Sequence, residues 1–507
     1  MSKNIILCFD GTCNEPSDAE QKTTRSGGIE DGNITNVLKL HLLFGGDLRG
    51  GSLFEDQVSC YYPGVGTYGS RLRRIYNTAF APDHQDVGKI IIEGVADLQR
   101  LYVEGDEIFV FGFSRGAAIA RRFCSVLPKH FHGTPPRIRF LGVFDTVASM
   151  GKPNLRDSRK PVSDVFFENK TIAPGIQEAL HLVALDEKRK AFMPTLMNRD
   201  PRVTEIWFPG AHADVGGGYR LDGLSDGALQ FMLEEITRRS LDLGIVSPTE
   251  IDYLGLSPKR ADWSIDFDDV IIEPDIFGHN HVQHRPPLTA KLTLADRDLR
   301  VNIRDRESRI PAVIHHSVAD RVHGDRDYRP ASLRRTKHQV LYPDGTLESF
   351  EGLRDHLERG VAPLRALKVN EAAEVIVHAN LRYNRSGLLI ERDARYLFQV
   401  EMAQEWMDGD ITCGPGGWNR TMITKGWREA FIKVAEGRRR EPEAEWFELL
   451  GSIGESDRHV FRVLRHGSAA KAWKAPASGE LCSFANDLES KYGNNIGAVR
   501  FKVRRVG

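Results

Sequence analysis

The chain has 507 residues, of which 41% are hydrophobic and 27% are charged, a composition typical of a globular protein with more than one domain. Its 69 Lys and Arg residues balance 70 Asp and Glu residues, so the overall charge argues against nucleic acid as a partner. The 6 cysteines are scattered without zinc-site spacing, and no apolar run reaches the ~18 residues of a transmembrane helix. Composition therefore argues against a nucleic-acid binder, a zinc protein and a membrane-spanning protein.

The first residues predict a buried parallel strand, from Asn4 to Phe9, that runs into a polar turn. Catalytic loops of open α/β sheets collect at such strand ends, so Asp10, Gly11 and Thr12 are candidates to support an oxyanion hole. A simple Asx turn accounts for them equally well. The apolar stretch is too short for a signal peptide, and we expect synthesis in the cytoplasm and export by a route that reads no N-terminal signal.

A serine between two glycines follows the next strong apolar run, in Gly112-Phe113-Ser114-Arg115-Gly116. α/β-Hydrolases mount their nucleophile on such a sharp strand-to-helix turn, where larger side chains would block the reversal. Arg115 would be the first residue of the following helix, and its backbone N–H would point at a developing oxyanion. Upstream helices over 35–44 and 86–102 alternate with short strands, so the pattern predicts a doubly wound α/β sheet with Ser114 as its nucleophile.

Two further apolar runs end in groups that suit a catalytic triad. The first ends in Asp145, and a later one runs into a glycine-rich loop that carries His212. In this chain order His212 would take the proton of Ser114 and Asp145 would fix the imidazole tautomer. Taken alone, Asp145 fits a turn cap equally well. A helix is predicted between the two runs, over 175–186.

Alternatives to these assignments lie nearby in the sequence. Asp186 is a rival triad acid, and His315 and His316 are rival bases. Asp214 stands two residues after the proposed base and would hold its loop. The close histidines of segment 279–284 could bind a metal, but the segment lacks obvious carboxylate partners and a solvated loop is favoured.

Six blocks of the N-terminal part are shared, in order, with one known family: Cys8–Thr12, Gly112–Ala117, Gly142–Val147, Leu182–Arg189, Trp207–Tyr219 and Ile314–Val318. On these blocks the chain resembles the α/β-hydrolase domain family that contains the type VI secretion phospholipase effectors of the first lipase class. The resemblance implies a triad of Ser114, Asp145 and His212 that hydrolyses ester bonds, with glycerophospholipid acyl esters as substrate class. It implies no cofactor for catalysis, a lipid or membrane substrate, and a secretion-machinery or immunity protein as partner.

The remainder of the chain is less regular. The polar segment between Gly255 and Pro311 is expected to contribute to a cover over Ser114 or to a partner surface. Turn signals from Gly324 to Tyr383 predict a connecting region. Beyond it, short apolar runs spaced by turns, with interspersed tryptophans, predict a β-sandwich.

A second set of motifs lies in that C-terminal part: Gly417-Trp418, Trp473–Pro476, Gly479–Leu481, Phe484–Asp487 and Tyr492–Gly497. On these motifs it resembles the galactophilic bacterial lectins of the LecA type. The resemblance implies a Ca²⁺ site with side-chain ligands from Asp487, Asn494 and Asn495 and backbone carbonyls of Lys491 and Thr421; oxygen ligands suit this hard cation. The sugar-contacting histidine of that family is replaced in Glu441-Pro442, which removes the basis for galactose specificity, and a polar turn without an ion is the alternative.

The sequence thus predicts three regions: an α/β-hydrolase domain over 1–325, a connecting region over 326–384 and a LecA-like β-sandwich over 385–507. The predicted function is that of a serine esterase acting on lipid esters, as an antibacterial effector delivered by a contact-dependent secretion system. Two alternatives remain: a carbohydrate-binding protein in which the sandwich carries the function, and an esterase acting on acylated glycans.

Overall fold

A computed structural model describes residues 2–12, 14–20, 31–64, 84–131, 134–150, 164–165, 172–256, 263–283, 285–359, 363–419 and 438–507. The chain forms two compact units. Unit 1 comprises Met1–Ile276, Asn280–Asp320 and Arg329–Asp355, and unit 2 comprises Phe277–His279, Arg321–Tyr328 and His356–Gly507. None of the helices within the described ranges has the length and apolar content that crossing a bilayer requires.

The strands of unit 1 are β1 (Asn4–Phe9), β2 (Gln57–Tyr62), β3 (Glu107–Phe113), β4 (Ile138–Phe144), β5 (Ser149–Met150), β6 (Asp164–Val165), β7 (Ile176–Ala184), β8 (Val203–Phe208), β9 (Asn302–Ile303), β10 (Arg306–Glu307), β11 (Ala312–His315), β12 (His338–Leu341) and β13 (Leu347–Phe350). The helices are α1 (Asn36–Leu43), α2 (His84–Leu101), α3 (Ser114–Val126), α4 (His212–Gly216), α5 (Gly223–Arg238), α6 (Tyr253–Leu256), α7 (Phe267–Val270), α8 (Pro287–Thr293), α9 (His316–Gly324) and α10 (Leu353–Arg359). The last residues of α9 and α10 belong to unit 2.

Within the described residues, unit 1 is built on a nine-stranded sheet with the strand order β13-β12-β11-β8-β7-β4-β3-β1-β2. Neighbouring strands from β2 to β12 pair in parallel, and only the edge strand β13 is antiparallel to its neighbour. Strands of parallel sheets are buried on both faces and read as continuous apolar runs, which is why β1, β3, β4 and β8 were visible in the sequence. The prediction of an α/β protein with a large parallel sheet is confirmed.

Alternate residues of β1 show how the sheet is covered on both faces. Ile5 and Leu7 belong to a core cluster that includes residues of α2 and α3. Ile6 and Cys8 face the other way, into a cluster with residues of α1 and α5. This alternation places helices on both faces of the sheet, the arrangement expected of a doubly wound fold.

Two sequence predictions about elements are wrong. The segment predicted as a helix over 175–186 is the central strand β7, which pairs in parallel with β4 and β8. Its Ala, Leu and Glu residues favour a helix locally, but burial between two parallel strands outweighs such weak propensities. The predicted connecting region 326–384 is likewise divided, because β12 and β13 extend the sheet of unit 1 and residues from His356 onward join unit 2.

Unit 2 contains the strands β14 (Arg365–Ala366), β15 (Ala372–His378), β16 (Asn384–Ile390), β17 (Arg395–Val400), β18 (Trp406–Asp408), β19 (Ile411–Cys413), β20 (Leu449–Ile453), β21 (Phe461–Arg462), β22 (Trp473–Lys474), β23 (Gly479–Ala485), β24 (Asn495–Ile496) and β25 (Ala498–Arg505). In the part of the chain that is described, they form sheets with the orders β14-β16-β23-β20-β21, β15-β25-β17-β22 and β19-β18-β24. Inward residues of the first two sheets share one hydrophobic core, for example Leu481 and Phe501. Two sheets packed over one core make a β-sandwich.

The close approach of α3 to the end of β1 generates the first testable prediction. A Cβ at Gly116 would overlap the carbonyl oxygens of Phe9 and Asp10, which are backbone atoms and cannot move aside cheaply. We expect Gly116→Ala to destabilise unit 1 by about 2 kcal/mol or more, measured as a lower urea midpoint of the full chain. Gly227→Ala is the control, since no atom of the described residues lies within 4 Å of its added Cβ and alanine favours its helix. An equal loss in both variants would contradict the packing argument.

Candidate active site

Ser114 sits on the turn between β3 and α3, with its backbone in the left-handed region at φ 57°. A non-glycine residue in this region is strained, and such strain concentrates at functional sites. Gly112 permits the turn, because an added Cβ there would lie 2.8 Å from Ala117 Cα. Asp145, directly after β4, is also left-handed, at φ 37°. Both residues are therefore held in uncommon conformations at the carboxyl ends of adjacent strands.

The three residues predicted as a triad lie in one hydrogen-bonded chain. His212 Nε2 is 2.7 Å from Ser114 Oγ, and His212 Nδ1 is 2.5 Å from Asp145 Oδ2. Ser114 and His212 are each 4% exposed and Asp145 is 0% exposed. The chain Ser–His–Asp has the connectivity that nucleophilic acyl transfer requires, with a hydroxyl, a base and a group that orients the base.

The imidazole of His212 lies in an apolar enclosure. Its ring centroid is 4.6 Å from that of Phe113 and 4.9 Å from that of Phe192. Burial lowers the pKa of His212, and the hydrogen bond and charge of Asp145 oppose this effect. A pKa below the ordinary value keeps the imidazole neutral near pH 7, the state in which it can accept a proton.

The carboxylate of Asp145 is surrounded by donors. Oδ1 accepts the N–H of Ala184 at 3.0 Å, and the buried guanidinium of Arg297 forks onto both oxygens, at 2.6 Å to Oδ1 and 2.8 Å to Oδ2. Burial alone would raise the pKa of Asp145, but Arg297 and the hydrogen bond from His212 hold it well below its usual range. Sequence reasoning missed Arg297, which lies outside every helix and strand and carries no motif.

The loop after β1 carries Asp10, Gly11 and Thr12, the residues predicted to support an oxyanion hole, and their hydrogen bonds agree with this prediction only in part. Asp10 accepts hydrogen bonds from the hydroxyls of Thr35 and Tyr61, at 2.7 and 2.6 Å, and from the N–H of Gly11 at 2.6 Å. Burial raises the pKa of Asp10 to about 6, against these hydrogen bonds. The prediction for Gly11 needs correction, because its N–H is already used within the turn. Thr12 Oγ1 is buried and has no hydrogen-bond partner among the described residues.

The N–H of Arg115 remains a candidate oxyanion donor. It lies in the first turn of α3, where backbone N–H groups have no acceptor within the helix and carry the positive end of the helix dipole.

The rival residues make other hydrogen bonds. Asp186 Oδ2 accepts from the N–H of Gly210 at 2.8 Å and thus holds the loop before His212. His315 Nδ1 lies 2.8 Å from Ser317 Oγ, and His316 Nδ1 lies 2.7 Å from Asp320 Oδ2. None of the three rivals takes the place of Asp145 or His212 beside Ser114.

Asp214, which is buried in α4, forms an ion-pair group with His281 and Asp31, which are both only partly buried. Asp214 accepts the N–H of Ala211 at 2.7 Å, while His281 lies between Asp214 Oδ1, at 2.5 Å, and Asp31 Oδ2, at 2.7 Å. Burial would lower the pKa of His281, but these two carboxylates raise it to about 9. The prediction of a solvated loop at 279–284 is therefore wrong for His281, whose carboxylate partners are distant in sequence. His284 lies outside the described residues.

Unit 2 brings together several of the oxygen groups predicted to bind calcium. Asp487 Oδ2 is 3.1 Å from Asn495 Nδ2, and the Lys491 carbonyl accepts the Asn494 N–H at 3.1 Å. Thr421 lies outside the described residues. Sequence analysis missed Asp408, which pairs with Asn495 across β18 and β24 and lies 3.4 Å from Asn494.

The buried state of these groups suits a cation. Burial raises the pKa of Asp487, and burial together with the charge of Asp487 raises the pKa of Asp408 to about 7. Asn495 Oδ1 is buried without a hydrogen-bond partner in the part of the chain that is described. Two close carboxylates and an unpartnered amide oxygen are the hard donors that Ca²⁺ prefers, so the residues present fit this ion.

The site in unit 1 can now be assigned to a class. A parallel sheet with a serine on a strand-to-helix turn, bonded through histidine to a buried aspartate, is the arrangement of α/β-hydrolases. Residues 3–130 and 127–235 match the family model described as "T6SS, Phospholipase effector Tle1-like, catalytic domain". This part of the chain thus matches the family that the sequence motifs implied.

The chain is also similar to individual proteins, in each case over part of its length. An uncharacterized protein of Saccharomyces cerevisiae, YEL023C, is 27% identical over 263 residues, which make up 40% of this chain and 34% of the yeast protein. The Tle1 effector bound to the VgrG spike of the type 6 secretion system is 23% identical, with 43% of this chain and 51% of that chain covered and a TM-score of 0.27. The EclA N-terminal domain, a PllA-like lectin, is 18% identical, with 26% and 94% covered and a TM-score of 0.18. The chain thus spans about a third of the yeast protein and half of the Tle1 effector chain.

The His281 ion pairs predict a pH-dependent contribution to stability. Because the pKa of His281 is raised from 6.5 to about 9, its stabilisation is complete below pH 6.5 and is lost as pH rises through 9. We expect His281→Gln to lower the free energy of unfolding by at most about 3 kcal/mol at pH 6 and by much less at pH 9.5. Urea unfolding at both pH values checks this prediction. The control is His130→Gln, a change at an exposed histidine. An effect of His281→Gln that grows with pH would contradict the prediction.

Proposed function

We propose that unit 1 is a serine esterase that hydrolyses lipid esters, with Ser114 as nucleophile, His212 as general base and Asp145 as the group that orients the base. The observation that carries this proposal is the hydrogen-bonded chain of 2.7 and 2.5 Å through His212. The family model that residues 3–235 match supports a lipid ester as substrate, since its description is that of a phospholipase effector.

The proposed chemistry proceeds in two steps. His212 Nε2 accepts the hydroxyl proton of Ser114 while Oγ bonds to the ester carbonyl carbon, and the protonated imidazole then returns this proton to the departing alcohol. In the second step the same nitrogen deprotonates water, which attacks the acyl-serine; the bond between the acyl carbon and Oγ breaks, the imidazolium returns the proton to Ser114 Oγ, and the fatty acid is released. Asp145 stays ionised throughout and stabilises the imidazolium, which its low pKa permits.

The negative charge of the tetrahedral intermediate develops on the former carbonyl oxygen and requires hydrogen-bond donors close to that oxygen. We assign this role to the N–H of Arg115, at the N-terminus of α3, and to the hydroxyl of Thr12, which is buried without a partner in the described structure. Asp10 and Asp214 act as supports, because they anchor the loops on either side through the hydrogen bonds given above.

The nucleophile assignment predicts a large loss of activity. Ser114→Ala should lower kcat by about 10⁴ or more without unfolding the protein, because members of a triad act as a unit. Hydrolysis is measured on a panel of glycerophospholipids, triacylglycerols and acetylated glycans with the full chain. Ser317→Ala is the matched control, a serine hydrogen-bonded to a histidine elsewhere in unit 1. Equal turnover by wild type and Ser114→Ala would exclude the proposal, and hydrolysis of acetylated glycans alone would favour the glycan-esterase alternative.

For unit 2 we propose a Ca²⁺ site held by Asp408, Asp487, Asn494 and Asn495, with the Lys491 carbonyl. Bound Ca²⁺ would neutralise the two buried carboxylates and offer coordination positions to hydroxyl groups of a glycan. The support is that Asp408 and Asp487 are close enough to raise the pKa of Asp408 and lack an ion pair within the described residues, and that Asn495, whose Nδ2 lies 3.1 Å from Asp487 Oδ2, has a buried Oδ1 without a partner there. A lectin-like role for the sandwich rests on this site and remains the second candidate function.

Calcium binding is tested by calorimetry on the full chain. We expect a Kd of about 10⁻⁴ M, in the range of extracellular modules, and at least a tenfold loss in Asp487→Asn and in Asp408→Asn. Glu489→Gln removes the same charge from an exposed position in the same loop and should change Kd less than twofold. Absence of calcium-dependent heat in the wild type would exclude the site and leave a sandwich with a polar turn.

Export by a contact-dependent secretion system, with a spike or immunity protein as partner, is proposed from the family alone. A solved Tle1 effector is bound to a VgrG spike, and the same class of partner is the first to test here by co-purification. An antibacterial role requires that wild type, and not Ser114→Ala, kills a bacterium when directed to its periplasm.

A further inference from the structure

Arg297 joins three separate parts of unit 1 at the carboxylate of Asp145. Its side chain and that of Asp145 are both 0% exposed. Besides the fork onto Asp145, Nη1 donates to the Ala184 carbonyl at 2.6 Å and Nη2 donates to the Phe192 carbonyl at 2.5 Å. The guanidinium therefore ties the aspartate to the end of β7 and to the segment whose phenylalanine ring packs on His212.

The fork fixes which oxygen of Asp145 meets the imidazole. Oδ2 receives both Arg297 Nη2 and His212 Nδ1, whereas Oδ1 receives Nη1 and the Ala184 N–H. Rotation of the carboxylate would break two charge-assisted hydrogen bonds, which are the strong ones. Asp145 also has a strained backbone at φ 37°. Such a conformation persists only when surrounding contacts hold the residue in place, and Arg297 supplies such contacts.

The positive charge of Arg297 also bears on His212. Both groups donate to the same oxygen, so a guanidinium opposes a second positive charge on the imidazole. The other charged groups that face His212 are Glu187, which accepts its backbone N–H at 3.2 Å, and Arg189, which is paired with Glu187 at 2.7 Å. Burial lowers the pKa of His212, the hydrogen bond and charge of Asp145 and the charge of Glu187 raise it, and Arg189 lowers it. Arg297, which shares Oδ2 of Asp145 with His212, adds its own positive charge to this balance.

We propose that Arg297 is a positioning residue for the triad: it holds Asp145 in the orientation that meets His212, and its charge sets the lower end of the pH range in which His212 works as a base. This inference rests on the proposed esterase function. It extends the Ser–His–Asp chain by a fourth, permanently charged member that does not touch the substrate.

The test compares Arg297→Lys, which keeps the charge and loses the fork, with Arg297→Met, which loses both. The probe is p-nitrophenyl butyrate, and a fluorophosphonate label counts the reactive serines so that rates refer to folded enzyme. We expect Arg297→Met to lower kcat about 100-fold with little change in KM. The acid limb of its kcat/KM profile, the fall in activity at low pH that reports protonation of His212, should move to higher pH, because the charge of Arg297 no longer opposes this protonation.

Arg297→Lys separates geometry from charge. Lysine is a point charge that cannot form two parallel hydrogen bonds, so kcat should fall about 10-fold while the acid limb stays where it is in the wild type. If Arg297→Met does not fold, this variant decides alone: a lower kcat at wild-type KM supports the proposal, and a wild-type kcat overturns it.

Arg202→Met is the matched control. Arg202 forks onto Asp200 and donates to the Ile176 carbonyl at 2.8 Å, at the edge of the sheet opposite to the triad. It should lower stability and leave kcat and the acid limb unchanged. If both Arg297 variants behave in this way, Arg297 is structural only and the proposal is overturned. Equal hydrolysis by wild type and Ser114→Ala would instead show that the esterase function itself has failed.

Discussion

The buried charge of Asp145 is the constraint on which the rest of unit 1 depends. An isolated carboxylate in a protein interior costs several kcal/mol or more, so this group is tolerated only because all its donors are in place. They come from the Ala184 backbone, from His212 and from Arg297. The end of β7, the first residue of α4 and the irregular segment after α8 must therefore be assembled together before the carboxylate is satisfied.

The parallel sheet makes this assembly possible. Strands β3, β4, β7 and β8 are consecutive neighbours in it, and their carboxyl ends lie at one edge. Ser114 and Asp145 leave adjacent strands, while His212 returns from β8 across the end of β7. The tight packing of α3 against β1 brings the loop that holds Thr12 to the same edge, since Gly116 leaves no space for a side chain between them.

Unit 2 also contains buried carboxylates, but their surroundings differ from those of Asp145. Asp145 has a guanidinium as partner, and its pKa is held low. Asp408 and Asp487 are also buried, yet among the described residues neither forms an ion pair, and the pKa of each is raised. A pair of carboxylates in this state gains most from a divalent cation, which is why the proposed Ca²⁺ site follows from the electrostatics of the sandwich as much as from its motifs.

The sequence by itself determined the parts of the site that are encoded locally. Ser114 stands between glycines at the end of an apolar strand and could be found from its immediate neighbours. Asp145 and His212 follow apolar runs of the same kind, but it was their order along the chain after Ser114 that favoured them as triad members. The family resemblance over six blocks agreed with this. Local propensity misled at β7, because parallel pairing on both sides outweighs the preference of its residues for a helix.

Only the tertiary structure decided which distant groups complete each site. Arg297 lies 152 residues from Asp145, and Asp408 meets Asn495 across strands that are far apart in the chain. His281 likewise is a member of an ion-pair group through Asp31 and Asp214. Charges and hydrogen bonds act between neighbours in space, and a pattern along the chain carries no record of which neighbours folding will supply.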